Sequence, residues 1–124
     1  MIETIYIEEE KANELGEMIM EWSGKIGAES LMLDPKKEAY EQLDGLVILH
    51  NDFDISKEHE SLSDLLDKNN VPTLKVDLSG TLIALVSNFN MWIDLNKAKR
   101  LLVVGKKSVV EAEKLPSLFE KVLN

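Results

Sequence analysis

Five short apolar runs, Thr4–Ile7, Glu29–Leu33, Gly45–Leu49, Thr73–Leu78 and Arg100–Val104, alternate with stretches of helical periodicity. This alternation confines the chain to the α/β class, because parallel strands need long crossovers and helices supply them. The run Gly45-Leu46-Val47-Ile48-Leu49 is continuously apolar, as a strand covered on both faces must be. The expected architecture is a single α/β domain over residues 1–124. It is a three-layer α/β/α sandwich with a five-stranded parallel sheet. Ligands in such sheets bind outside the carboxyl ends of the strands, so the polar residues that follow each run are the first candidates for a site.

The segments between runs read as helices. Ala12, Leu15, Ile19, Trp22 and Ile26 recur at spacings of 3, 4, 3 and 4, one apolar stripe that Gly27 closes. Asp34-Pro35 opens a short helix carrying Ala39, Tyr40 and Leu43. Ser56 caps a helix running to about Lys68, with Leu62, Leu65 and Leu66 inward and Asn69-Asn70 at its end. Ser108 with Glu111 fits a capping box, and Pro116 restarts or kinks the final helix. From Leu82 to Leu95, ten of fourteen residues are apolar. One sheet face cannot cover them all, so this helix is expected to meet a partner. The expected partner is a second copy docked through residues 82–95, with Ile83, Phe89 and Trp92 as interface candidates.

Charge and composition remove several functions. Net charge is −9, from 23 acidic against 14 basic residues, and that sign repels nucleic acid and anionic membrane surfaces. Cysteine is absent, which excludes disulfides, thiolate metal sites and cysteine nucleophiles. No apolar run approaches the ~18 residues of a membrane span, and the N-terminus lacks a signal-peptide pattern; a cytoplasmic location is expected. Glycine-rich phosphate loops and the serine-hydrolase elbow do not occur.

A flavodoxin-like strand order, 2-1-3-4-5, would gather Glu8, Glu9, His50, Asn51, Asp52, Asp77, Ser79 and Lys106 around one crevice. Of these, Glu8, Glu9, His50, Asp52, Asp77 and Lys106 are the ligand-binding candidates. Glu8, Glu9 and Asp77 would suit a hard cation such as Mg2+.

Ile5-Tyr6-Ile7-Glu8-Glu9-Glu10 resembles the opening of response-regulator receiver domains, where a strand ends in acidic residues. Asp44 to His50 resembles the third receiver strand, with His50 at the phosphate-accepting aspartate position. Val71-Pro72-Thr73-Leu74-Lys75-Val76-Asp77 resembles the fourth, with Asp77 at the Ser/Thr position, and Lys106 or Lys107 follows the fifth. The resemblance implies the fold and a non-catalytic interaction or signalling module, a receiver without its switch. A second resemblance implies a different class. Ser56-Lys57-Glu58-His59-Glu60-Ser61-Leu62 is similar to the catalytic segment of TIR domains and nucleoside deoxyribosyltransferases. There Glu60 or Glu58 would stabilise an anomeric carbon and His59 would transfer a proton.

Overall fold

The computed structural model describes residues 2–8, 13–33 and 38–123. Its five strands are β1 (Thr4–Glu8), β2 (Glu29–Leu33), β3 (Gly45–His50), β4 (Thr73–Asp77) and β5 (Arg100–Gly105). The helices are α1 (Glu14–Lys25), α2 (Lys57–Lys68), α3 (Leu82–Asn96) and α4 (Lys114–Lys121). Two 3-10 turns, Glu38–Gln42 and Lys107–Glu111, complete the described elements. All strand pairs are parallel, as expected.

The strand order is β2-β1-β5-β3-β4, which corrects the flavodoxin-like 2-1-3-4-5. The last strand enters the middle of the sheet. Its entrance is held from both sides: Glu3 and Thr4 donate backbone N–H groups to the Lys99 carbonyl at 2.7 and 3.0 Å. On the other side, Asp44 Oδ2 accepts from the N–H groups of Lys99 and Arg100, both at 2.9 Å. Burial agrees with the order: β3 is buried throughout and β5 from Leu101 to Val104, whereas the edge strand β2 exposes Leu31 and Met32.

Two cores flank the sheet. On one face Ile5, Ile7, Val47, Leu49, Leu101 and Val103 meet α1, α3 and α4. On the other, Tyr6, Leu46, Ile48, Leu102 and Val104 meet α2 and the Glu38–Gln42 turn. The crossovers β1-to-β2 and β4-to-β5 step one way along the sheet, and their helices share the first face. The crossovers β2-to-β3 and β3-to-β4 step the other way and lie on the second face. Uniform handedness requires this division. The second face consequently has a single α-helix over it among the described residues.

Side-chain caps open three helices, and Ser56 is the one expected from the sequence. Asn13 Oδ1 accepts from Gly16 N–H at 2.7 Å, Ser56 Oγ from His59 N–H at 3.1 Å and Thr81 Oγ1 from Ala84 N–H at 3.4 Å, each satisfying a helix-start donor. Gly27 follows α1 with φ +76°, a left-handed value that suits glycine. Three expectations change. Leu65 of α2, expected inward with Leu62 and Leu66, is exposed. The segment holding Tyr40 is a 3-10 turn rather than a helix, and Asp34-Pro35 lies outside the described residues. Ser108 and Glu111 form no capping box; their segment is a 3-10 turn without a side-chain cap. A helix begun at Ser108 would run into Pro116, whose ring would clash with the Ala112 carbonyl. The chain instead breaks at Ala112 (ψ 123°) and starts α4 afresh.

Trp22 anchors the three-helix face. Its ring stacks on Phe119 with centroids 5.1 Å apart and meets Phe89 edge-on at 5.9 Å, and such pairs contribute about 0.5–1.5 kcal/mol each beyond area burial.

Candidate functional site

The carboxyl ends of the strands lie along one edge of the parallel sheet, but the observed order divides the expected constellation. Three strand spacings separate β1 from β4, about 14 Å. Glu8 and Asp77 therefore cannot ligate one ion, and the expected Mg2+ set of Glu8, Glu9 and Asp77 does not assemble. Glu9 lies outside the described residues. Among the described residues no group of three His, Asp or Glu side chains is arranged to hold a metal.

His50 and Asp77 are register partners on adjacent strands, and one polar atom of each, Nδ1 and Oδ1, is bonded to the turns that follow. Asp77 Oδ1 accepts from Ser79 Oγ at 2.7 Å, Ser79 N–H at 3.0 Å and Asp52 N–H at 3.0 Å. These bonds hold its carboxyl below the ordinary range, the Ser79 hydroxyl most of all. His50 Nδ1 accepts from Phe53 N–H at 3.0 Å, so the neutral ring carries its proton on Nε2. Burial pushes the His50 pKa down and Lys75 adds to this, against the opposing pull of Asp77 and Asp52. The loop they clamp is strained: Asp52 and Phe53 have φ of 54° and 64°, a region costly for residues with a side chain. Phe53 is thereby left with its ring tilted over His50, 5.4 Å away, and largely exposed. Lys106, after β5, pairs with Asp54 at 2.5 Å across an exposed surface. These residues lock a turn.

A second grouping forms on the thinly covered face. The loop after β3 carries the start of α2 back towards the end of β1, where His59 Nε2 meets Glu8 Oε1 at 2.7 Å. The pair is largely buried, with side-chain exposures of 10% and 21%. His59 Nδ1 is also buried, without a hydrogen-bond partner, a condition that costs about 1–3 kcal/mol. Beside the pair opens a cleft of about 490 Å³, lined by Glu8, Tyr40, Lys57, His59, Leu62 and Leu65 among others. Glu58 also lies on this wall, whereas Glu60, the carboxylate expected to act on an anomeric carbon, is exposed and outside it. Glu8 and His59 were each legible as candidates. Nothing in the sequence joined them, since they belong to different motifs 51 residues apart.

The third feature is the outer face of α3. Phe89, expected at an interface, is 2% exposed in the core because it meets Trp22, and Trp92 is half-buried against Gly45. Neither is open to a partner as Ile83 is. Among the exposed residues of α3, Ile83, Ser87, Met91 and Leu95 occupy one i, i+4 row, flanked by Ala84, Asn88, Asp94 and Asn96. Ile83 and Leu95 are 85% and 78% exposed, unusual for large apolar side chains on one ridge.

Comparisons of the chain with protein-family models, curated proteins and solved structures find no match. No helix among the described residues is long and apolar enough to cross a membrane.

Proposed function

We propose that this protein is an interaction module that works as a pair of copies joined through α3. The observation that carries the reading is the row Ile83, Ser87, Met91 and Leu95. Rows of i, i+4 residues are the ridges that interdigitate when helices pack at about −50°. A twofold axis near Phe89 would set Ile83 against Leu95 of the other copy and Ser87 against Met91, an isologous contact. The small Ser87 and Ala84 let the two backbones approach.

Charge supports a second copy in particular. The chain carries −9 overall, yet the outer face of α3 holds one ionised side chain, Asp94. Two copies can meet there without bringing rows of carboxylates together. The receiver resemblance adds nothing to this reading, since β5 lies between β1 and β3 where the expected order has no strand.

Light scattering on a size-exclusion column tests the proposal. The wild type should elute with the mass of two chains and Ile83→Lys with the mass of one. Adding Leu95→Glu to Ile83→Lys should restore the dimer, because each introduced lysine then faces an introduced glutamate. A wild type that stays monomeric up to high concentration, or a dimer indifferent to Ile83→Lys, refutes it.

A further inference from the structure

We infer that the cleft beside Glu8 and His59 binds a planar nitrogen heterocycle that is uncharged or cationic. The volume, about 490 Å³, falls in the range of small-molecule sites, and the position outside the end of β1 is where sheets of this class bind ligands. Tyr40, Leu62 and Leu65 supply apolar walls, which call for a flat body with little polarity on its faces.

The polar end selects the edge of that body. Glu8 Oε1 is committed to His59, while Oε2 has no hydrogen-bond partner among the described residues. A carboxylate oxygen accepts only, so the ligand must present a hydrogen-bond donor there, and a ring N–H or exocyclic amine supplies one in the plane of a flat body. His59 fixes this end in place: its ring is nine-tenths buried on the cleft wall and its Nε2 holds Glu8 Oε1, while its unpaired Nδ1 is buried from solvent. Ser61 and the Lys57 side chain are additional polar groups on the rim.

Charge narrows the class. Among the described residues of the cleft, Glu8 and Glu58 outnumber Lys57, and the whole chain is acidic. A ligand bearing phosphate or carboxylate would meet repulsion that a neutral or cationic ligand avoids. The inference is independent of the α3 dimer, because the cleft lies on the opposite face of the sheet.

Titrations followed by amide NMR shifts test it with two matched probe pairs. Adenosine is compared with its 5′-monophosphate, and tryptamine with indole-3-acetate; each pair keeps the ring and changes the charge. Adenosine or tryptamine should shift the amides of His59, Leu62 and Leu65 with a Kd of roughly 1 mM or tighter. The anionic partner should bind at least about tenfold more weakly. Leu65→Arg, at a position 42% exposed and so compatible with folding, should abolish the shifts. Glu8→Gln, which turns one accepting oxygen into a donor, should weaken them roughly tenfold. If neither adenosine nor tryptamine perturbs the cleft amides, or if the anionic probes bind equally well, the inference is wrong. Binding unaltered by Leu65→Arg would overturn it too.

Discussion

Glu8 Oε1 and His59 Nε2 lie 2.7 Å apart, joining the end of β1 to the first turn of α2. The bond spans the strand inserted between their elements, so it fastens the helix start to the far side of β5. Glu8→Leu would leave both nitrogens of a buried ring unpaired and should cost about 1–3 kcal/mol in urea unfolding. Adding His59→Leu removes the orphaned ring, so the double variant should be more stable than the two single losses predict, by about 0.5–3 kcal/mol. Strict additivity would mean that the contact does not couple the two elements.

Asp44 grips the entrance to β5 through two backbone donors, those of Lys99 and Arg100. Asp44→Ala strands both N–H groups at the start of a central strand and should lower unfolding free energy by about 1–3 kcal/mol. Asp44→Asn keeps an accepting oxygen and should cost less than half as much. Chemical denaturation of the two variants in parallel checks the ranking, and equal losses would show that the oxygen is not what matters.

His50 should make the fold sensitive to mild acid. Its folded pKa lies below the ordinary imidazole value of about 6.5 because burial disfavours the charged ring. As pH falls, the unfolded chain takes up this proton before the folded one, so stability is complete above about pH 6.5 and declines as pH drops through the lowered value. Asp77 has the same sign in a more acidic window, present above about pH 3.9 and lost below it. His50→Asn keeps an acceptor for Phe53 N–H and removes the first window. Melting temperatures measured from pH 7.5 to 3 should therefore fall in two stages in the wild type and only at the acidic end in His50→Asn.

Gly45 sits under the Trp92 ring, and a β-carbon there would collide with it and press on Leu101. Trp92 belongs to α3 and Leu101 to β5, so the pressure falls on two packed elements. Gly45→Ala should destabilise by about 1–3 kcal/mol, and Gly45→Ala with Trp92→Leu should recover part of the loss. Unfolding midpoints of the three variants decide this.

The sequence carries the identity of the elements and not their neighbours. Leu46–Leu49 and Leu101–Val104 are apolar without interruption because sheet and helices cover both sides, and that local signal located β3 and β5. Where β5 lies among its neighbours depends on contacts such as Lys99 with Thr4 and Arg100 with Asp44, which no periodicity encodes. The same gap governs the site. With β5 placed last in the order, Glu8 and Asp77 were expected to converge; with β5 inside, Glu8 meets His59 and Asp77 turns to Ser79. Phe89 and Ile83 share an apolar helix, and only the packing of Trp22 separates the core residue from the exposed one.

A sheet whose last-made strand is central has an enforced order of assembly. Until Arg100–Gly105 leaves the ribosome, β1-α1-β2 and β3-α2-β4 are two separate crossover units. Besides its outer edge, each exposes an inner edge, that of β1 or β3, which β5 alone covers, and edges of that kind recruit other strands. Nascent chains therefore carry two sticky halves from the completion of β4 onward, and the arrival of a single six-residue strand joins them. Cooperativity in this domain is concentrated in its final quarter.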